Sequence, residues 1–115
     1  MNDPLFQPIT INRMTLKNRI YLPAMHMNMA RDFEVTDQLI DFYAERARGG
    51  VGIITVGYAT VDELSGNSTN IGAHKDEFIP GLKELTDVIH KHGAKAGVQL
   101  GLHLQPSRQP TLLLL

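Results

Sequence analysis

The residues best suited to ligand chemistry in this chain of 115 residues stand where predicted strands end. The tetrapeptide Pro23-Ala24-Met25-His26 follows the first predicted strand of a sheet, Gly57 ends the second, and Gln99 lies near the end of the third. A glutamine amide both donates and accepts, which suits a ring edge that carries adjacent N–H and C=O groups. A glycine lets a planar ligand approach the backbone closely. These residue types favour a flat heterocycle as the ligand.

The same residues also have structural interpretations. A glutamine in a strand is more often a satisfied buried polar group than a ligand contact, and His26 taken alone reads as a loop histidine. His90 and His92 are two positions apart on a predicted helix and do not share a face, which argues against a metal site there. The sequence therefore predicts no metal ligands, and we assign no catalytic residue within the chain.

Composition and charge exclude several classes of function. The chain has 43% hydrophobic and 20% charged residues, and 11 basic against 12 acidic residues give a net charge of −1. There is no basic surplus to attract nucleic acid or an anionic membrane. No apolar run approaches the roughly 18 residues that a membrane span needs, and the acidic start is not a signal peptide. We expect one domain in the cytoplasm, without a nucleic-acid or membrane partner.

Apolar and charged segments alternate along the chain as far as Leu100. The periodicity of apolar residues, the capping residues and the glycines predict the elements. The first half has a β-hairpin around Asn12-Arg13, a strand at Ile20–Leu22, a loop over 24–35, and a helix begun by Thr36 and closed by Gly49-Gly50. The second half has a strand at Val51–Gly57, a loop over 58–77, a helix begun near Pro80 and ended by Gly93, and a strand at Lys95–Leu100.

Two consecutive βα units imply parallel strands with right-handed crossovers. A doubly wound sheet and the opening of a (β/α)8 barrel both fit this order. Neither Gly-x-Gly-x-x-Gly nor a P-loop motif is present, so phosphate binding at a helix N-terminus has no support. In both architectures ligands bind at the carboxyl ends of the strands. We therefore expect Met25, Gly57 and Gln99 to lie on one side of the molecule.

A series of motifs over about residues 5–100 resembles one enzyme family. The motifs are Leu5-Phe6-Gln7-Pro8, Leu16-Lys17-Asn18-Arg19-Ile20, Pro23-Ala24-Met25, the segment Tyr43–Ile54, His90-Lys91-His92-Gly93 and Val98-Gln99-Leu100. In this order they resemble the opening of the old yellow enzyme family, the NADH:flavin oxidoreductases. With His26 after Met25, the chain is most similar to the subgroup of 2,4-dienoyl-CoA reductase, trimethylamine dehydrogenase and bile-acid enoate reductases.

The resemblance implies the fold and the chemistry. The fold is α/β: the N-terminal portion of a (β/α)8 TIM barrel, with a β-hairpin and about three βα units. The cofactor is FMN, NAD(P)H is the electron donor, and hydride passes to an activated alkene or enoate. By position, the family's cofactor-binding residues correspond to Pro23, Ala24, Met25, His26, Gly57 and Gln99.

The chain departs from the family after Leu100. The family pattern is Gln-Leu-x-His-x-Gly-Arg, whereas here Gln99-Leu100 is followed by Gly101-Leu102-His103-Leu104. We therefore expect residues 1–100 to be part of an FMN-binding barrel domain and 101–115 to be an aberrant or disordered tail on a truncated chain. Open strand edges give an alternative function, a non-catalytic fragment that associates with itself.

Overall fold

A computed structural model of the chain describes residues 2–102, which form a small α/β unit. Its elements in chain order are β1 (Ile9–Ile11), β2 (Met14–Leu16), β3 (Tyr21–Leu22), α1 (Asp37–Arg48), β4 (Ile53–Thr60), β5 (Ile71–Gly72), α2 (Ile79–Lys91) and β6 (Lys95–Gly101), with short 3-10 turns at Pro4–Phe6 and Asp76–Phe78. In this part of the chain, neither helix is long and apolar enough to cross a membrane.

Strands β1 and β2 form the predicted hairpin. They pair antiparallel, with Ile11 opposite Met14. The connecting residue Asn12 has a φ of 53°, a left-handed conformation that asparagine tolerates better than most residues. The hairpin lies outside the main sheet and precedes it in the chain.

The main sheet is parallel, and β4 is its central strand. Strand β6 pairs along the length of β4, and β3 pairs on the opposite side, beside Ile53 and Ile54. Strand β5 lies on the same side as β3 and pairs with Ala59 and Thr60 at the far end of β4. A helix joins each parallel strand of the β3–β4–β6 series to the next, which confirms two βα units and the strand of a third.

Several predicted boundaries were wrong. Strand β3 begins at Tyr21 rather than Ile20, and β4 begins at Ile53 rather than Val51. Strand β4 does not end at Gly57 but continues to Thr60, because the register shifts between Gly57 and Ala59 and the pairing then resumes with β6. The predicted loop over 58–77 contains β5, which pairs with this extension. Strand β6 includes Gly101, one residue past the predicted strand end at Leu100. Residues 103–115 of the predicted tail lie outside the described residues.

One face of the sheet is packed against both helices. This covered face carries Leu22, Ile54, Val56 and Ala96. Helix α1 begins where the Thr36 hydroxyl accepts a hydrogen bond from the Leu39 amide at 3.3 Å, as predicted for an N-cap. The helices contribute the apolar side chains that complete the core, which include Leu39, Tyr43, Ala47, Leu85 and Ile89.

Within residues 2–102, no helix packs against the other face of the sheet, which we call the open face. It carries Tyr21, Ile53, Thr55, Gly97 and Gln99. The Tyr21 hydroxyl donates to Thr55 Oγ1 at 3.1 Å, and Tyr21 is 53% exposed. The β1–β2 hairpin borders the amino-terminal part of this face, around an apolar hollow of about 360 Å³. Gln99, on the carboxyl-terminal part of the face, is exposed.

Asn18 fixes the position of β3 beside β4. Its side-chain amide donates to the Gly50 carbonyl at 2.6 Å, and its Oδ1 accepts from the Ile20 amide at 3.1 Å. A Cβ on Gly52 would lie only 2.5 Å from that oxygen. Asn18 and Gly52 thus join the start of β3 to the turn that precedes β4, which sets where the loop after β3 emerges.

Candidate functional site

The structure places the six predicted site residues at one rim of the sheet. Pro23, Ala24, Met25 and His26 follow β3 directly, and Gly57 and Gln99 are register partners in β4 and β6. Met25, His26 and Gly57 also line one cavity of about 10 Å³, roughly the size of one water. The expectation that Met25, Gly57 and Gln99 lie on the same side of the molecule is confirmed.

These residues form an exposed platform rather than a closed pocket. Met25 is 45% exposed, and the side chain of Gln99 is exposed on the open face. Gln99 lies outside the small cavity. A ligand at this rim would therefore lie across the strand ends and contact Gln99 from the open side of the sheet.

Gly57 is the position where a side chain is least tolerable. Its φ is 139°, in the region that L-residues with side chains rarely adopt. A Cβ at Gly57 would lie 2.8 Å from the carbonyl oxygen of Gln99 and 3.3 Å from the Cβ of Gln99. Glycine at 57 thus permits the close pairing of β4 with Gln99 in β6.

His26 is held by side chains from two loops. Its Nδ1 lies 2.8 Å from Asn70 Nδ2, and its Nε2 lies 2.6 Å from Asn28 Oδ1. Thr69 Oγ1 donates to Asn28 Oδ1 at 2.8 Å and lies 3.4 Å from His26 Nε2. The imidazole also packs near the Tyr58 ring, with centroids 5.9 Å apart. His26 is therefore part of a polar network.

Backbone hydrogen bonds join the same two loops. The Ala30 amide donates to the Thr69 carbonyl at 3.3 Å, and the Phe33 amide donates to the Ser68 carbonyl at 3.1 Å. The Phe33 carbonyl accepts from the Gly72 amide at 2.8 Å. These backbone hydrogen bonds join the loop after β3 to the loop after β4, which limits how far the Pro23–His26 segment can move.

Tyr43 supports the rim from the covered face. Tyr43 is 2% exposed and lines the small cavity beside Gly57. Burial raises the pKa of the Tyr43 hydroxyl, and a hydrogen bond with the Gly57 backbone acts in the opposite direction. The phenol stays protonated at neutral pH and links α1 to the position of Gly57.

The charged residues near this rim belong to the exposed loop after β4. The Lys75 ammonium pairs with the Glu63 carboxylate, which lowers the pKa of Glu63 and raises that of Lys75. The pKa of Asp62 is lowered first by the nearby Ser65 hydroxyl and also by the Leu64 amide, which donates to Asp62 Oδ1 at 2.9 Å. Over residues 2–102, no three His, Cys, Asp or Glu side chains form a group that could hold a metal ion.

Sequence reasoning missed the residues that hold His26. Asn28, Thr69 and Asn70 lie in segments that were interpreted only as polar loops. The cluster Asn67-Ser68-Thr69-Asn70 before the apolar Ile71 was the available signal, because such residues commonly bond to nearby backbone. Their contact with His26 joins residues 44 positions apart, and no local pattern reveals it.

Comparison with known proteins decides the lineage. Residues 4–109 match the model of the NADH:flavin oxidoreductase / NADH oxidase family. The chain belongs to this family. It is 44% identical over 96 residues to a metal reductase of Desulforamulus reducens, which covers 84% of this chain and 14% of that protein. It is 36% identical over 99 residues to an NADH oxidase of Thermoanaerobacter brockii, a match that covers 84% of this chain and 15% of that protein.

Solved structures give the same result for the fold. A 2-naphthoyl-CoA reductase in complex with 2-naphthoyl-CoA superposes with a TM-score of 0.83 at 32% identity, over 87% of this chain and 16% of that one. Old yellow enzyme from Pichia sp. AKU4542 superposes with a TM-score of 0.77 at 23% identity, over 85% of this chain and 26% of that one. Family members are FMN-dependent oxidoreductases built on a TIM barrel, and the described residues form the N-terminal portion of that barrel.

Proposed function

We propose that this chain forms the flavin-facing rim of an FMN-dependent NAD(P)H:acceptor oxidoreductase that reduces an activated alkene or enoate in the cytoplasm. The observation that carries the proposal is the pairing of Gly57 with Gln99 beside the Pro23–His26 segment, at the carboxyl ends of three parallel strands. When bound, FMN supplies hydride transfer between NAD(P)H and the acceptor, and the protein supplies position and polarity.

The residues at the rim fit the isoalloxazine ring of FMN. The exposed Gln99 amide can donate to a ring carbonyl and accept from a ring N–H, as the pyrimidine edge of a flavin requires. Gly57 lets β4 approach β6 closely beside Gln99, since a Cβ there would clash with the Gln99 carbonyl oxygen. Pro23, Ala24, Met25 and His26 would lie along the ring edge, held by the bonded loops.

The acceptor class is inferred from the lineage. The chain spans 14% of the metal reductase and 15% of the NADH oxidase that it resembles, so the activity of a whole enzyme is part of the proposal. The structural neighbour named for 2-naphthoyl-CoA acts on an aromatic ring conjugated to a thioester. That chemistry supports an acceptor whose carbon–carbon double bond is activated by a carbonyl group.

The decisive experiment changes one atom of the Gln99 side chain. Gln99→Glu keeps the shape of the side chain but removes its N–H donor, since an ionised carboxylate only accepts. We expect FMN affinity, measured by quenching of flavin fluorescence, to fall about tenfold with the loss of one hydrogen bond. The matched control is Gln38→Glu at an exposed position of α1. Equal FMN affinity in both variants, or no FMN binding by the unaltered chain, would contradict the proposal.

A second candidate function is self-association through β6. Within residues 2–102 this strand pairs on one side only, with β4, and its side chains Val98 and Leu100 are 54% and 59% exposed. An exposed apolar edge strand is a template for pairing with another chain. Val98→Lys should shift a dimer toward monomer in analytical ultracentrifugation. A monomer before the substitution, or a dimer that persists after it, would exclude this candidate.

A further inference from the structure

The backbone N–H of Asn67 and the side chains of Asn70, His26 and Asn28 are joined in one chain of hydrogen bonds between the two rim loops. The Asn67 amide donates to Asn70 Oδ1 at 3.1 Å, and Asn70 Nδ2 lies 2.8 Å from His26 Nδ1. His26 Nε2 lies 2.6 Å from Asn28 Oδ1. Asn70 is 2% exposed, whereas the imidazole of His26 is exposed. The buried amide thus holds an exposed ring.

The direction of each bond follows from the backbone group at one end. The Asn67 N–H can only donate, so the Asn70 atom that faces it is the carbonyl oxygen. The Asn70 NH2 group therefore faces His26 Nδ1, and because NH2 only donates, Nδ1 carries no proton. A neutral imidazole then has its proton on Nε2, where Asn28 Oδ1 can accept it.

We propose that Asn70 is a positioning residue that fixes neutral His26 in its Nε2–H form and thereby holds the Pro23–His26 segment at the rim. Both nitrogens of the ring are then occupied by protein partners. His26 contributes the position of its loop to the site, and its Nδ1 has no proton to give. The part of this inference that concerns flavin rests on the proposed function, whereas the placement of the proton does not.

The packing around Asn70 shows why this arrangement holds. A Cβ on Gly66 would lie 2.7 Å from Asn70 Oδ1 and 2.8 Å from Thr60 Cγ2, so Gly66 makes room for the amide. A buried amide that loses a partner is destabilising, which favours keeping both of its hydrogen bonds. Rotation of His26 away from Asn70 would leave the buried Nδ2 without its partner. The rim loop therefore depends on Asn70 for its position.

The test reverses the polarity of one bond. Asn70→Asp keeps the acceptor for the Asn67 amide but offers a carboxylate oxygen to His26 Nδ1. The readout is the ¹⁵N chemical shifts of both His26 ring nitrogens, measured without FMN on the full chain in alkaline buffer. We expect the proton on Nε2 in the unaltered chain and on Nδ1 in Asn70→Asp, a change of about tenfold or more in the tautomer ratio.

Asn67→Asp is the matched control. Asn67 Oδ1 accepts from the Thr69 amide at 2.9 Å and from Thr69 Oγ1 at 2.5 Å, and aspartate retains both interactions. Asn67→Asp thus adds the same charge without changing the Asn70 group that faces His26 Nδ1. This variant should keep the proton on Nε2. Far-UV circular dichroism on the same samples identifies a variant that has unfolded. In that case the ¹⁵N shifts of His26 in the unaltered chain decide whether the tautomer is the one proposed.

A protonated Nδ1 in the unaltered chain would overturn the inference. So would averaged, random-coil shifts for His26, or the same tautomer in Asn70→Asp and the unaltered chain. FMN titration then separates the two proposals. If the tautomer changes as expected but the chain does not bind FMN, the positioning role stands and the proposed function fails. If FMN binds but the tautomer is insensitive to Asn70, the proposed function stands and the positioning role fails.

Discussion

The two faces of the β3–β4–β6 sheet differ in almost every physical respect. On the covered face, Ile54 is fully buried and Val56 is 6% exposed, against helix side chains such as Ile89 that are also fully buried. On the open face, Tyr21 is 53% exposed and Gln99 is exposed. Burial on the first face provides the stability of the unit, because apolar area removed from water is the main favourable contribution to folding.

The open face carries the features that a ligand needs. Gly57 and Gly97 have no side chains to project from it, and Thr55 and Gln99 supply polar groups. The hydrogen-bonded loops border its carboxyl-terminal end. A residue on this face contributes little to the core, so its chemistry can be adapted to a ligand. Neighbouring residues of one strand thus have separate roles, and substitutions on each face should distinguish these roles.

The largest effect is expected at Ile54, in the centre of the covered face. Ile54→Ala should lower the free energy of unfolding by about 3 kcal/mol, because it removes buried methyl groups and leaves a cavity. The adjacent Thr55→Ala, on the open face, should lower it by less than about 1 kcal/mol. Urea denaturation followed by circular dichroism measures both. Equal losses for the two variants would show that the open face is also packed in solution.

The next effect is expected at Gly57, where the open face meets the rim. Gly57→Ala should lower the free energy of unfolding by about 2 kcal/mol, because alanine is strained at a φ of 139° and its Cβ would meet the Gln99 carbonyl at 2.8 Å. Gly97→Ala places its Cβ 3.3 Å from the movable Thr55 hydroxyl and should change stability by no more than about 0.5 kcal/mol. Similar effects in the same denaturation assay would contradict the specific requirement for glycine at 57.

The sequence was sufficient to predict the order of the hairpin, the two helices and strands β3, β4 and β6, and the shared rim. Thr36 as an N-cap, the helical spacing of the buried Leu39, Tyr43 and Ala47, and the uninterrupted apolar run at the start of β4 are local patterns with one dominant explanation. The rim followed from topology, because the carboxyl ends of parallel strands meet on one side. Met25, Gly57 and Gln99 could therefore be placed on one side of the molecule from the sequence alone.

Long-range pairing could not be predicted in the same way. The extension of β4 beyond Gly57 depends on a register shift and on pairing with β5, which lies more than ten residues later. The contact of Asn70 with His26 joins two loops and leaves no period in the sequence. Both features depend on which residues the folded sheet brings together, and a single sequence does not specify this locally.

The smallest effect concerns Tyr43, which links the two faces through the Gly57 backbone. Because burial raises the pKa of Tyr43 above its unfolded value of about 10, its contribution to stability is fully present below that pH and is lost as pH rises through the folded pKa. Tyr43→Phe should lower the free energy of unfolding by about 1 kcal/mol at pH 7 through the lost hydrogen bond. It should also reduce the decline in stability above pH 10, whereas Tyr21→Phe on the open face should retain that decline. Urea denaturation at pH 7 and above pH 10 measures the slope, and an unchanged alkaline decline in Tyr43→Phe would show that this phenol is not buried against Gly57 in solution.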